Sequence, residues 1–392
     1  MRDGPFGPVS CVWGSCTVLL GELFMARFCR SAHLLILPLL FFTGQVLAQQ
    51  ALPAANAKPL AVSESVPQVD SAQFADKPSV LSNGIKGILV KVPSHTPTDY
   101  APMLKGELGP SVMLTGQLFL PANGSKKPYA AVVETPGSGD LGPQHLAHAA
   151  ALTSAGMAVL VIDPFFGRGI KNTIADQNQL SFAASSYDVL AAVKFLRTRK
   201  DIDAQRIGAT GGSRGGTAVL MAETAPVSNA VMGPRNGLRA VVAGYPWCGA
   251  QFYSARLADH SSLLVMQGDR DDWVSFQQCQ DETHAMGVTG QDVVMELFPG
   301  ARHAFDREGV PPTAIPNAIT STVFPTIYMD DQGRYYSMRT GKVDPAITSQ
   351  MIVQYSIKGG FLKKGVTIGS EGTQAKEFSD EMVNFFKAKL QQ

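Results

Sequence analysis

The fold is indicated by one stretch of the chain, Arg206-Ile207-Gly208-Ala209-Thr210-Gly211-Gly212-Ser213-Arg214-Gly215. Its first five residues predict a strand, and the apolar residues that follow Gly215 predict a helix. Between them stands the pattern Gly-x-Ser-x-Gly, where the chain turns so sharply from strand to helix that side chains beside the serine would collide. Such a turn exposes a hydroxyl at the end of a strand, so we expect Ser213 to be a nucleophile. The alternative is a glycine turn that merely joins two elements.

The sequence around this stretch alternates short apolar runs with longer amphipathic segments from residue 87 onward. Several runs are apolar throughout, which is typical of strands buried on both faces. The alternation predicts an α/β fold with a mostly parallel, eight-stranded sheet and helices on both faces, in which the first two strands pair as antiparallel neighbours. Strands are predicted at 87–92, 111–120, 129–134, 158–163, 206–210, 239–244, 262–267 and 292–298, and helices at 145–155, 182–197, 215–223 and 377–390.

Residues 304–373 depart from this rhythm. Four prolines, Pro311, Pro312, Pro316 and Pro325, precede a hairpin signal at Asp330-Asp331-Gln332-Gly333. We interpret the segment as an insertion before the last helix. The sequence leaves open whether it is a surface elaboration or a cap over the serine.

A serine hydroxyl is a poor nucleophile near neutral pH and needs a neighbouring base. His303 follows the predicted strand 292–298, which places it at the same sheet edge as Ser213, and we expect it to be the base. The other candidates lie in helical patterns or in loops without a strand end aimed at the serine: His95, His145, His148, His260 and His284.

The imidazole needs a carboxylate on its other nitrogen to hold the tautomer that accepts the serine proton. The stretch after strand 262–267 offers Asp269, Asp271 and Asp272, and spacing does not choose among them. The developing oxyanion requires two backbone N–H groups. We expect them from Arg214, directly after the serine, and from Ser138, in a loop whose alternative reading is an ordinary glycine turn.

Composition excludes several classes of partner. The chain has 392 residues, and its 33 Lys and Arg against 32 Asp and Glu give a formal charge of +1. Because no block of like charge occurs, neither nucleic acid nor an anionic membrane surface is expected to bind. The histidines are scattered, so we predict no metal and no cofactor. The oligomeric state is not indicated.

The N-terminal part predicts export. Arg27 and Arg30 precede an apolar run at 34–42, and Val46-Leu47-Ala48 offers the small residues that a signal peptidase reads. A retained membrane anchor is the weaker alternative, because the run falls short of the roughly 20 apolar residues that span a bilayer. We therefore expect a periplasmic or secreted protein with no membrane attachment after cleavage.

These boundaries divide the chain into three parts. Residues 1–48 are expected to form the signal peptide region, with the start of translation expected at Met25. Residues 49–80 are rich in Ala, Pro, Ser and Gln and are predicted to be a mobile leader. Residues 81–392 are predicted to form the folded domain.

Signal cleavage would leave Cys248 and Cys279 as the two thiols of the mature chain. Each follows a predicted strand at the same sheet edge. An even number of cysteines in an oxidising compartment permits one disulfide, which we predict between them.

Several motifs resemble the dienelactone hydrolase-like branch of the α/β hydrolases, over residues 110–303 and again in the last helix. They are Gly268-Asp269-Arg270-Asp271-Asp272-Trp273-Val274, Pro299-Gly300-Ala301-Arg302-His303-Ala304-Phe305-Asp306, Asp163-Pro164-Phe165-Phe166-Gly167-Arg168-Gly169 and Gly244-Tyr245-Pro246-Trp247-Cys248. In that family the first Asp of the Asp-Asp-Trp stretch is catalytic. The resemblance therefore implies the α/β-hydrolase fold and the role of third catalytic residue for Asp271.

The sequence departs from the family at three points, the first of which is that the segment 304–373 has no counterpart there. The small dienelactone hydrolases use a cysteine nucleophile where this chain has Ser213, and Pro136-Gly137 stands in place of the usual His-Gly of the oxyanion loop. The resemblance implies hydrolysis of a small-molecule carboxylic ester through an acyl-enzyme. A peptidase or amidase with the same three residues, and a non-catalytic binding module, are the alternatives.

Three further side chains are candidates for contact with substrate. Trp273 stands beside the catalytic carboxylate, and Arg168 and Arg214 could clamp a substrate carboxylate. The alternative is that Arg168 forms a structural ion pair and that Arg214 is a solvated residue at a helix start.

Overall fold

A computed structural model describes residues 61–62, 66–122 and 127–391, which belong to one compact unit. The predicted signal peptide region and the first part of the predicted leader lie outside the described residues. The strands are β1 (Ala61–Val62), β2 (Ile88–His95), β3 (Ser111–Phe119), β4 (Tyr129–Thr135), β5 (Ala158–Asp163), β6 (Ile202–Gly212), β7 (Ala240–Gly244), β8 (Ala250–Phe252), β9 (Ser262–Gly268), β10 (Asp292–Phe298), β11 (Thr313–Thr320), β12 (Ile327–Met329) and β13 (Lys363–Ile368). The helices are α1 (Ser71–Asp76), α2 (Tyr100–Leu104), α3 (Pro143–Ser154), α4 (Phe182–Arg197), α5 (Arg214–Glu223), α6 (Ala225–Met232), α7 (Phe276–Val288), α8 (Ser349–Lys358) and α9 (Gln374–Leu390).

The main sheet has eight strands in the order β10-β9-β7-β6-β4-β5-β3-β2. Its first six strands are parallel, whereas β3 and β2 run antiparallel to their neighbours. These are the eight strands predicted from the sequence, and the prediction of a mostly parallel sheet with an antiparallel first pair is confirmed.

Helices cover both faces of the sheet. Successive residues of a strand point to opposite faces, so in β4 the side chains of Ala131 and Val133 enter one hydrophobic core and those of Ala130 and Val132 enter the other. Helices α4 and α5 close the first core, and α3 and α9 close the second. Burial on both faces explains why the central strands are continuous apolar runs.

The insertion forms structure of its own. Strand β11 pairs antiparallel with β13 and parallel with β1, and β12 pairs with β8 of the loop after β7. The predicted hairpin is present, since the N–H of Asp330 donates to the carbonyl of Arg334 at 2.9 Å. Both oxygens of Asp99 accept hydrogen bonds from the insertion, one from the hydroxyl of Tyr335 and one from the N–H of Ser349.

The prediction of a mobile leader is wrong for residues 66–80. Helix α1 lies in this segment, and the ring of Phe74 is 1% exposed. The side-chain amide of Gln117 on β3 donates to the carbonyls of Phe74 and Lys77, at 2.7 and 2.9 Å. The buried ring of Phe74 and the amide of Gln117 thus fix this segment on the sheet. A single apolar side chain gives no helical periodicity, so the sequence pattern did not predict the helix.

Cys248 and Cys279 form a disulfide bond, as predicted. Cys248 lies in the loop after β7 and Cys279 lies in α7. The bond therefore ties this loop of the sheet edge to a helix that follows β9.

Candidate active site

The turn between β6 and α5 has the strained geometry expected of a nucleophile elbow. Ser213 has φ +57° and ψ −122°, and its N–H donates to the carbonyl of Gly244 at 2.9 Å. A Cβ atom added at Gly211 or Gly215 would lie 2.6 or 2.4 Å from the carbonyl oxygen of Thr135. Because neither position has room for a side chain, both glycines of the Gly-x-Ser-x-Gly pattern are required by close backbone approach.

His303 lies within hydrogen-bond distance of Ser213. Its Nε2 is 2.8 Å from the Oγ of Ser213, and its Nδ1 is 2.7 Å from the Oδ2 of Asp271. The ring is almost fully buried and packs between Tyr245, at 4.8 Å between ring centroids, and Trp273, at 4.7 Å. The structure thus brings together the three side chains that the sequence singled out.

The carboxylate of Asp271 is fixed by three further hydrogen bonds. Its Oδ1 accepts from the N–H groups of Trp273 and Val274, at 2.9 and 3.0 Å, and its Oδ2 accepts from the side-chain amide of Gln267 at 3.0 Å. Bonds to both oxygens hold the plane of the carboxylate, and this orients the imidazole ring in turn.

The neighbouring carboxylates have structural partners. Oδ1 of Asp269 accepts from the N–H of Gly300 at 2.6 Å, and Oδ1 of Asp272 accepts from the N–H of Thr367 on β13 at 2.8 Å. Of the three carboxylates that spacing left open, Asp271 is the one that reaches His303.

Ser138 and Arg214 flank the serine as candidate oxyanion donors. Arg214 is the first residue of α5, so its N–H has no partner within the helix. The loop that carries Ser138 passes directly against the elbow, because a Cβ at Gly137 would lie 3.2 Å from the Cβ of Ser213. Both residues line the cavity beside Ser213.

Arg168 does not clamp a substrate, and that prediction is wrong. Its guanidinium makes two bonds to Asp188, at 2.7 and 2.9 Å, and its remaining donors reach the carbonyls of Pro164 and His95 and the hydroxyl of Thr96. Because every N–H of the guanidinium bonds within the protein, Arg168 forms a buried structural ion pair with Asp188.

The side chain of Arg214 is buried and engaged as well. It donates to the side chain and carbonyl of Gln177, the carbonyl of Leu180 and the hydroxyl of Ser185, and it stacks 4.1 Å from the ring centroid of Phe182. Burial lowers the pKa of Arg214 to about 9. The expectation of a solvated residue at the helix start is therefore wrong, and so is that of a free clamp.

Two cavities meet at Ser213. The larger, of about 340 Å³, is walled by apolar side chains that include Trp247, Phe324, Ile327, Ile352 and Leu362. Four of these five belong to the insertion. The question that the sequence left open is thereby answered, since the insertion forms a wall over the serine.

The smaller cavity, of about 50 Å³, lies on the side of His303 and Tyr245. Val66 lines it, together with polar side chains that include His145. Burial holds the pKa of His145 well below its usual range, so the ring is neutral. Ser213, Ser138 and Trp273 line both cavities, which puts Trp273 in a position to contact substrate.

Tyr245 is a residue of the site to which the sequence assigned no role. Its hydroxyl donates to Asp306 at 2.7 Å, and its ring occupies the space that a side chain at Gly212 would need. Behind it lies a buried polar cluster in which His148 is 3.3 Å from Glu134. The signal was available in the stretch Gly244-Tyr245-Pro246-Trp247-Cys248, which the family resemblance had already included.

The part of the chain that the structure describes contains no candidate metal site and no candidate membrane-spanning helix. No group of three or more His, Cys, Asp or Glu there could hold a metal ion. Among the same residues, no helix combines the length and apolar composition needed to cross a membrane.

A family model described as the dienelactone hydrolase family matches residues 118–320, just over half of the chain. The chain belongs to the dienelactone hydrolase family. Membership confirms the resemblance and, with the observed sheet, the α/β-hydrolase fold. It also places the chain in a family of hydrolases.

The relatives differ in how much of their length is shared. An uncharacterized peptidase, YuxL, of Bacillus subtilis is 25% identical over an alignment of 194 residues, and the match covers 41% of this chain and 28% of that protein. The matched region therefore spans just over a quarter of that relative.

Solved structures of similar fold have lower identity. A dienelactone hydrolase-like promiscuous phosphotriesterase from metagenomic libraries is 17% identical, with a TM-score of 0.46, and the match covers 77% of this chain and 98% of that one. A thermophilic esterase of Thermogutta terrifontis is 19% identical, with a TM-score of 0.38, and the match covers 50% and 82%.

Proposed function

We propose that this protein is a serine esterase that cleaves a carboxylic ester through an acyl-enzyme on Ser213. The observation that carries the proposal is the continuous line of hydrogen bonds from the Ser213 hydroxyl through His303 to Asp271, at 2.8 and 2.7 Å. A nucleophile, a base and an orienting carboxylate in this order are the parts that acyl transfer needs.

The reaction follows from these positions. Oγ of Ser213 attacks the ester carbonyl while Nε2 of His303 takes its proton, and the N–H groups of Ser138 and Arg214 donate to the oxyanion. His303 then gives the proton to the departing alcohol, which leaves an acyl-enzyme. Water attacks this acyl group with His303 again as the base, and Asp271 stabilises the imidazolium in both halves of the reaction.

The walls of the large cavity favour an ester over a peptide. They are mainly apolar, whereas an extended peptide presents a row of backbone donors and acceptors that would be buried there without partners. A peptidase or amidase remains the second candidate, because the Bacillus subtilis relative is called a peptidase. Comparing kcat/KM for simple esters with that for peptide anilides separates the two.

Labelling with a fluorophosphonate tests the proposal. The wild-type protein is expected to be labelled on Ser213, and the variant Ser213→Ala is expected to remain unlabelled. Asp269→Asn is the matched control, since this exposed carboxylate contacts the loop before His303 and not the ring. A folded wild-type protein that never labels would contradict the proposal.

We propose further that the protein works after export. The signal pattern before residue 49 supports this. The expected result is a mature N-terminus at Gln49 in the periplasm or medium. A cytosolic protein that retains residues 25–48 would contradict this proposal.

A further inference from the structure

The two cavities at Ser213 differ in size, in lining and in the catalytic groups they touch. The large cavity holds about 340 Å³ and the small one about 50 Å³. An ester bound for attack has its carbonyl carbon at Ser213, so its acyl group extends to one side and its alcohol to the other. The arrangement of catalytic groups decides which side is which.

The leaving oxygen must lie beside Nε2 of His303, because that nitrogen protonates the departing alcohol. Of the residues that the structure describes, His303 lines the small cavity and is absent from the walls of the large one. Arg214, which supplies one oxyanion donor, lines the large cavity and not the small one. The alcohol therefore begins on the side of the small cavity.

The geometry points to esters that join a large apolar acyl group to a small alcohol. We propose that the large cavity binds the acyl group and the small cavity binds the alcohol, an inference that rests on the proposed function. The volume of the large cavity is at the lower end of the range for pockets that hold small organic ligands.

The acyl group is expected to be uncharged. The guanidinium of Arg214 touches the cavity, but its N–H groups are already bonded to Gln177, Leu180 and Ser185. An acyl chain with a terminal carboxylate would lose water on entry without gaining a free cation. Each buried methylene of a neutral chain is instead expected to raise kcat/KM by roughly fourfold, the factor that its transfer from water supplies.

Two isomeric esters test the assignment. Methyl hexanoate carries its long chain on the acyl side and pentyl acetate carries it on the alcohol side, so the two have the same atoms and similar hydropathy. We expect kcat/KM, measured by proton release, to be at least on the order of 10-fold higher for methyl hexanoate. Equal values, or a preference for pentyl acetate, would overturn the assignment.

A variant in α8 tests which cavity is used. Ile352 lines the large cavity, and Met351 beside it is 50% exposed and is not part of the wall. Ile352→Trp fills the cavity and is expected to lower the ratio of kcat/KM for methyl hexanoate to that for methyl acetate by on the order of 10-fold. Met351→Trp, the matched control, is expected to leave this ratio unchanged. A ratio that falls equally in both variants, or in neither, contradicts the proposal.

Failure of this inference can be told apart from failure of the proposed function. If the protein is labelled by a fluorophosphonate on Ser213 and hydrolyses esters but prefers pentyl acetate, the assignment of the cavities is wrong and the esterase stands. If it neither labels nor hydrolyses any ester of the two series, the proposed function is wrong and the inference falls with it.

Discussion

Three carboxylates stand within four residues after β9, and each has a different partner. Asp269 bonds the N–H of Gly300, Asp272 bonds β13, and Asp271 bonds His303. We predict that Asp271→Asn lowers kcat by on the order of 10⁴-fold, because the amide stabilises the wrong tautomer of the ring. Asp269→Asn is expected to keep kcat within about threefold. Steady-state kinetics on one ester checks both, and equal losses would contradict the assignment.

Arg168 illustrates what a sequence does not reveal about a charged side chain. The motif around Arg168 resembles that of the family, but the structural role of Arg168 depends on its ion pair with Asp188. Asp188 is completely buried and lies twenty residues further along the chain, on α4. We predict that Arg168→Ala leaves KM unchanged and lowers the free energy of unfolding by about 3–5 kcal/mol, because Asp188 is left buried without its cation. Urea unfolding and KM are the measurements. A higher KM at unchanged stability would restore the role of substrate clamp.

The site residues themselves could be predicted because each stands at a strand end. Ser213 and His303 follow β6 and β10, and parallel strands bring their carboxyl ends to one edge of the sheet. Asp271 required the family resemblance, since spacing could not separate it from its neighbours.

At the level of elements, buried strands were predictable and polar or short elements were not. The eight strands of the main sheet are apolar runs, and their positions agree with the sequence pattern. Helix α7 was recognised from the sequence only as a helical pattern around His284 and was given no bounds, because most of its residues are polar and its periodicity is weak. The sheet of β11 and β13 was missed because prolines interrupt the segment and its pairing is long-range.

Helix α1 allows a direct test of the N-terminal segment. Phe74 is almost fully buried against the sheet, and we predict that Phe74→Ala lowers the free energy of unfolding by about 3–5 kcal/mol. Phe166→Ala, at a ring that is 43% exposed, is the control and is expected to cost much less. Denaturant titration measures both. Equal small effects would show that residues 66–80 contribute little to the fold.

For the whole molecule, two buried carboxyl groups make stability depend on pH. Burial raises the pKa of Glu223 and of Glu282 from 4.5 to about 8. The folded state then holds more protons than the unfolded state at intermediate pH. The contribution of these two groups to the free energy of unfolding is therefore largest below pH 4.5 and falls as the pH rises to about 8.

Their replacement by the neutral isostere tests this dependence. In the double variant Glu223→Gln, Glu282→Gln, the melting temperature is expected to change less than in the wild type between pH 4.5 and 8. At pH 8 it is expected to be higher than that of the wild type. Glu308→Gln, at an exposed position, serves as the control and should follow the wild-type curve. A double variant that also follows the wild-type curve would contradict the assignment.

The main sheet and the insertion contribute different parts of the candidate active site. The shared sheet edge positions Ser213, His303 and Asp271, whereas the insertion supplies most of the apolar wall named above. The hydrolytic chemistry is therefore expected to depend on the residues at the sheet edge, and the choice of acyl group is expected to depend on residues 304–373.

The most direct test of the account is to find the acyl group during turnover. Wild-type protein is mixed with an excess of an activated hexanoate ester and quenched in acid, and its peptides are analysed by mass spectrometry. We predict a hexanoyl group on Ser213 in the wild-type protein, and we expect the Ser213→Ala variant to lack this group and to lose hydrolysis. A hexanoyl group on a different residue, or a Ser213→Ala variant that hydrolyses the ester at the wild-type rate, would contradict it.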